Sequence, residues 1–210
     1  VVSVIAPGIS AQRSAGCSRV FTSMVDGSGS RGGYRFVLVV GSLVMVALAF
    51  LYQVGTAPVM LSTEISIDAP RAEVWKVVRD MQNWKDWNPC FHIEIDGMPE
   101  VGSPILIKCH WLDGSKATAN ERISHVEPET RLCWDYEDLP DWALGTDRCV
   151  VLTDTETGGT HVRNYELFFN LLGGLVGNLF GKSIIQGFSL MNEKLKQKVE
   201  AAAAEEEEAK

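Results

Sequence analysis

A chain of 210 residues, 46% of them apolar, has room for one domain of ordinary size plus an extra segment. Before residue 60 the charged groups are Arg13, Arg19, Arg31, Arg35 and Asp26, so the remainder carries 15 positive and 26 negative groups, a charge of -11. So acidic a domain, without a basic stripe, argues against nucleic acid as a partner.

Residues 1–35 form a Ser/Gly/Ala-rich N-terminus that reads as disordered, as targeting sequence, or as sequence upstream of a start at Met24, which would leave residues 1–23 without function. Phe36 to Tyr52 is a run of seventeen uncharged residues, and a transmembrane helix or signal anchor is expected over 36–54. At about 1.5 Å per residue the run spans about 26 Å, a little short of a ~30 Å hydrocarbon core, and the uncharged continuation to Pro58 can make up the difference. Two alternatives compete with a retained span. In one, Gly55-Thr56-Ala57 is the cleavage site of a signal peptide, and the domain is secreted; in the other, the run is a buried helix of the soluble domain. Arg31 and Arg35 precede the run and Arg71 is the first cation after it, which puts the domain on the non-cytoplasmic side of a single-pass membrane protein.

Met60 to Asp68 alternates as a strand, with Leu61, Thr63, Ile65 and Ile67 on one face. A helix follows, with Asp68 as its cap, Pro70 at its start, and Val74, Val77, Val78 and Met81 as a buried stripe. Trp84 and Trp87 share one side of a second helical turn that Asn88-Pro89 ends. The pattern D-A-P-x-x-x-V-W-x-x-V-x-D-x-x-x-W-x-x-W-N-P over residues 68–89 resembles the opening of the SRPBCC superfamily, the polyketide cyclase–dehydrase and START-like proteins. The resemblance extends over residues 60–200 and implies an α+β helix-grip fold, a curved antiparallel sheet wrapped around a long C-terminal helix with a cavity between them. It says little of function, because the superfamily holds lipid carriers, cyclases, hydrolases and co-chaperones.

The remaining elements follow in order. Strands are expected over Phe91–Asp96, Ile105–Leu112, Lys116–Val126 and Arg131–Tyr136, with Asp113-Gly114 as a hairpin turn. Strands over Asp147–Asp154 and Thr160–Phe169 form the last hairpin. Trp142 sits on the acidic loop Glu137–Thr146, where it is either a gate at a cavity mouth or folded into the core. Leu171 to Ala204 is the closing helix, with Phe188, Met191, Leu195 and Val199 gripping the sheet. Its first half is rich in glycine, consistent with close backbone approach or with a loop that delays the helix to Lys182. The acidic tail, residues 201–210, is a solvated helix end or disordered.

The sequence holds no nucleophile, metal or dinucleotide motif, so no cofactor or metal is expected and no catalytic residue is assigned. The cysteines at 17, 90, 109, 133 and 149 lack ligand spacing, and the four of the domain read as free, buried thiols, with pairing open if the domain lies outside the cytosol.

The cavity implied by the resemblance has, by alternation, a ligand-binding wall of Ile107, Cys109, Trp111, Ala119, Glu121, Trp134, Tyr136, Tyr165, Leu167 and Phe169. Glu121 would be a carboxyl in apolar surroundings with a raised pKa unless Arg148 or Arg163 pairs with it. Three functions are expected from this. The first is a membrane-anchored module that binds or carries a lipid, sterol, quinone or polyketide-like molecule. The second is a cyclase or dehydratase using Glu121, Tyr136 and Tyr165 as acid and base. The third is a protein-interaction domain with a collapsed cavity.

Overall fold

The structure is a computed structural model that describes residues 30–208. The expectations for the N-terminal 29 residues, and the last two of the acidic tail, lie outside the described residues. The chain divides into two units, Val1–Met45 and Val46–Lys210.

Helix α1, Ser30–Thr56, is longer at both ends than the apolar run alone suggests. Its apolar part, Tyr34–Thr56, is 23 residues long and none of its most apolar stretch is buried. At 1.5 Å per residue that is about 35 Å, enough to cross a bilayer core of ~30 Å. This exposure removes the reading of α1 as a buried core helix.

The rest folds as seven antiparallel strands and two helices. The strands are β1 (Val59–Ile67), β2 (Phe91–Glu94), β3 (Pro104–His110), β4 (Lys116–Glu127), β5 (Arg131–Tyr136), β6 (Gly145–Asp154) and β7 (Thr160–Phe169). The order across the sheet is β1-β7-β6-β5-β4-β3-β2. Thus β1 and β2 are the two edges, and α2 (Arg71–Arg79) with a 3-10 turn (Met81–Asp86) carries the chain from one to the other. Helix α3, Gly173–Glu208, lies in the concave face against β1 and β7. This is the helix-grip arrangement that the opening pattern implies.

One local expectation changes and one alternative is decided. Pro70 occupies the cap position of α2 and no side chain caps the helix; Asp68 instead donates its backbone N–H to Glu200 Oε1 on α3 at 3.0 Å. The glycine-rich start of α3 is continuous helix, because its glycines let the backbone come down on the sheet. A Cβ on Gly177 would lie 2.7 Å from Val59 Cβ, and one on Gly187 would lie 2.9 Å from Phe91 Cζ. The helix also continues through Glu208, into the acidic tail.

The core is densest where α2, the 3-10 turn and the C-terminal half of α3 close over the sheet. Trp84 is fully buried, donates its indole N–H to Val78 O at 3.0 Å, and meets Trp134 edge-on with ring centroids 5.9 Å apart. Trp87, half-buried, packs on Trp84 at 5.7 Å. Phe188, Met191, Leu195 and Val199 are all buried. One polar chain crosses this region: Asn164 donates to Asn192 Oδ1 at 2.9 Å, and Asn192 donates to Thr63 Oγ1 at 3.1 Å.

Candidate functional site

At the other end of the concave face, α3 and the sheet form a cavity of about 310 Å3 that opens to solvent on one side. Its position follows from the strands. On β4 the residues facing α3 begin with Ala117 and Ala119, whose small side chains leave room. Strands β5 and β6 pair only from Arg131 to Trp134; beyond that, the Tyr136 N–H donates to the side-chain Oγ1 of Thr146 at 2.9 Å instead of to a backbone carbonyl. The sheet splays there, and Tyr136 and Thr146 both line the cavity. Phe91, Trp111, Leu144, Phe168, Val176 and Ile184 supply its apolar wall, while Leu139 and Phe180, both partly exposed, lie at its rim. It is a formed void, not a collapsed one.

Three charged side chains point into this apolar space. Arg148 on β6 and Glu166 on β7 are register partners, and Glu121 on β4 stands opposite Tyr136 on β5. They are 4%, 9% and 8% exposed respectively. The Arg148 guanidinium lies 4.1 Å from the ring centre of Phe91, 4.8 Å from that of Phe188 and 5.2 Å from that of Trp134. Aromatic faces attract a cation, but they leave its N–H edge unused. Arg148 Nε and Nη2 are buried without a hydrogen-bond partner, and among the described residues no carboxylate oxygen lies within 4.0 Å of the guanidinium. Burial pushes the Glu121 carboxyl up to about 8, against the pull of Arg148 and with the push of Glu166, Asp135 and Asp138. Glu166 is raised as well, again by burial and against Arg148. The Cys109 thiol is pushed up to about 12 by burial, so it is a neutral wall group at physiological pH, not a nucleophile.

The residues expected at the wall separate into three groups. Cys109, Trp111, Ala119, Glu121 and Tyr136 line the cavity. Ile107 and Trp134 do face α3 but are fully buried in the packed core beside the cavity and do not line it. Tyr165, Leu167 and Phe169 are on the wrong face. In β7 it is Val162, Asn164, Glu166 and Phe168 that are buried against α3, while the odd-numbered residues are half-buried on the convex side. There the Tyr165 hydroxyl donates to Asp147 Oδ2 at 3.1 Å, and Phe169 covers Gly145. Since side chains alternate, a one-residue misreading of parity inverts the whole strand. The misleading signal was composition: the outward residues Tyr165, Leu167 and Phe169 are large and mostly apolar, while two of the inward ones are Asn164 and Glu166. Arg163, which shares the convex face, approaches Glu64 and Ser62 rather than Glu121. Trp142 is exposed and does not line the cavity, so the rim is marked by Leu139 of the same loop instead.

The expectation of free cysteines holds for Cys90 and Cys109 but not for Cys133 and Cys149. These two are direct partners across β5 and β6 and form a disulfide on the convex face. Cys17 lies outside the described residues. Among the described residues Cys133, Cys149 and Asp147 are also the one cluster with metal-ligand proximity, but both sulfurs are spent in the disulfide.

The fold is shared with solved structures at low sequence identity. The Zhui aromatase/cyclase from Streptomyces sp. R1128 is 12% identical, with TM-score 0.56 over 69% of this chain and 94% of that one. TTHA0849 from Thermus thermophilus is 19% identical, with TM-score 0.55 over 69% of this chain and 99% of that one. For the di-domain ARO/CYC BexL from the BE-7585A biosynthetic pathway the figures are 14% identity, TM-score 0.54, and 67% of this chain against 49% of that one. This chain thus spans about half the length of that di-domain protein. No curated protein matches the chain. A family model does match, over residues 58–200, which include every strand and the gripping part of α3. Over that stretch the chain belongs to the polyketide cyclase / dehydrase and lipid transport family.

Proposed function

We propose that this chain is a membrane-tethered module that binds a hydrophobic small molecule, of lipid, sterol, quinone or polyketide type, in the cavity between α3 and the sheet. The observation that carries the reading is an apolar void of about 310 Å3 with a few buried polar groups at its wall, which is the usual make-up of a small-molecule site. The tether is α1, long enough to cross a bilayer. The Cys133–Cys149 disulfide supports a domain outside the cytosol, where such bonds persist, and agrees in sign with Arg31 and Arg35 before the span. Native mass spectrometry with lipid extraction on Val59–Lys210 tests the reading. A co-purifying hydrophobic molecule that Ala119→Trp expels is the expected result. An empty protein that also refuses a lipophilic fluorescent probe would overturn it.

A second reading is favoured by Glu121. A buried carboxyl whose pKa is about 8 is poised to donate and recover a proton near neutral pH, as a cyclase or dehydratase requires. Aromatase/cyclases among the structural neighbours make this class the natural one to test. Its acid–base groups would be Glu121 and Tyr136, with Tyr165 withdrawn because it lies on the convex face. Glu121→Gln separates the two readings: turnover of a polyketide-like substrate collapses in an enzyme, whereas uptake by a binding module shifts only modestly.

A further inference from the structure

We propose that the ligand is a carboxylate-terminated amphiphile, bound head-inward with its carboxylate paired to the buried Arg148 guanidinium and its tail along the apolar wall. This rests on the reading of the cavity as a hydrophobic-ligand site and adds the chemistry of the head group.

The argument begins with the state of Arg148. A guanidinium is always charged in a protein, and an unpaired buried charge is costly. Side chains around it satisfy its faces only: Phe91, Phe188 and Trp134 stack within 5.2 Å of the guanidinium carbon. Its Nε and Nη2 have no acceptor. Those two atoms are sealed by the packing around them, so a ligand meets the guanidinium only through the part of Arg148 that lines the cavity, where a carboxylate supplies the missing countercharge. Arg148 lines the cavity, so the group that completes it can arrive with the ligand.

The protein's own carboxyls do not fill that place. Glu121 and Glu166 share the cavity wall with Arg148, yet neither puts an oxygen within 4.0 Å of it. Burial raises both carboxyls, Glu121 to about 8, so Glu121 does not supply the countercharge at neutral pH, and Arg148 stays open to an anion. A protonated Glu121 or Glu166 can also donate to the bound carboxylate, where an ionised one would repel it. A neutral alcohol or ester carries no countercharge and leaves the cation uncompensated.

The test compares head groups at constant tail. The full chain, held in a non-ionic amphipol, is equilibrated with radiolabelled dodecanoate, dodecanol or methyl dodecanoate, and bound label is measured by dialysis. Dodecanoate is expected to bind at least tenfold more tightly than either neutral probe. In Arg148→Met the preference disappears while dodecanol still binds; in Arg148→Lys, which keeps the charge and loses the guanidinium, part of it remains. Equal affinity for dodecanoate and dodecanol overturns the head-group assignment and leaves the cavity reading standing, as does a preference that survives Arg148→Met. Failure of all probes to bind overturns the cavity reading and the assignment with it. Should Arg148→Met not fold, as circular dichroism would show, the comparison of probes on the unmodified chain decides by itself.

Discussion

The two ends of the concave face use the same helix and the same sheet to opposite effect. At the C-terminal end of α3, Phe188, Met191, Leu195 and Val199 meet Trp84, Trp134, Leu132 and Val150, and every one of these side chains is buried. Toward its N-terminal end the strands offer Ala117, Ala119 and Thr146 with Glu121, Arg148 and Glu166, and a void remains. Helix geometry does not account for the difference, since α3 is continuous through both. Side-chain volume on β4 and charge on β6 and β7 do. Apolar side chains stabilise by displacing water in proportion to the area they bury; buried charges without partners cost free energy. The chain therefore draws its stability from one end and holds the other, less favourable, arrangement in place with it.

The largest expected effect breaks the packed end. Trp134→Ala removes a fully buried indole that touches Trp84 and Arg148, and should lower stability by about 3–5 kcal/mol in urea unfolding. For that reason the variant reports on folding and not on the ligand site, although the sequence alone assigned Trp134 to the wall. A loss below about 1 kcal/mol would mean that the two ends are less different than their burial implies.

Next comes the disulfide, on the face that neither end uses. Replacing Cys133 and Cys149 together by serine opens a loop of 16 residues, and about 3 kcal/mol of stability should go with it. Ligand uptake should be unchanged at a temperature where the variant is folded. Loss of uptake in a folded variant would tie the convex face to the cavity.

The open end should reveal itself through pH. Glu121 has a folded pKa of about 8 against an ordinary value of 4.5, so between those limits the folded state holds a proton that the unfolded state has lost. The Glu121 contribution must then fall as pH rises from 4.5 to 8, with a slope of up to about 1.4 kcal/mol per pH unit, and is spent above 8. Arg148 opposes this shift while Glu166, Asp135 and Asp138 add to it; Glu166, itself raised, contributes in the same direction. Glu121→Gln should flatten the slope and make the protein more stable at pH 8. A slope that survives the substitution would move the titration to Glu166.

What the sequence disclosed follows the same division. The opening pattern around Pro70, Trp75 and Trp84 disclosed the fold through its resemblance to a known superfamily, whereas helical spacing there gave only a buried stripe. Faces of β3, β4 and β5 were legible because Ile107, Ile123 and Leu132 each adjoin a polar residue, Lys108, Arg122 and Arg131, and the Asp113-Gly114 turn sets the register. In β7 that logic inverts, because the concave face takes polar Asn164, bonded to Asn192 in the packed core, and Glu166, at the cavity, and leaves Tyr165, Leu167 and Phe169 outside. For the same reason Glu166 went unassigned and Arg148 was named only as a possible partner of Glu121, not as a wall residue. Nothing in a single sequence marks an arginine as buried; its neighbours had first to be placed. Sequence rules that assume apolar-in, polar-out fail where function requires the reverse.

The smallest effect tests that inversion most directly. Tyr165→Phe removes only the hydroxyl that donates to Asp147 Oδ2 at 3.1 Å on the convex face. A partly buried hydrogen bond of this kind contributes about 0.5–1.5 kcal/mol, so a shift of that size in urea unfolding is expected. Probe uptake should not change at all, because the ring never enters the cavity. Ala119→Trp, on the concave face, should do the opposite, with uptake reduced at least tenfold and stability altered little, since the new ring enters space that is already empty. If instead Tyr165→Phe weakened uptake, the register of β7 against β6, Cys149 opposite Tyr165 and Arg148 opposite Glu166, would have to shift by one residue. That shift would expel Glu166 from the cavity and bring Tyr165 in. The pair of variants therefore tests the register and the site together.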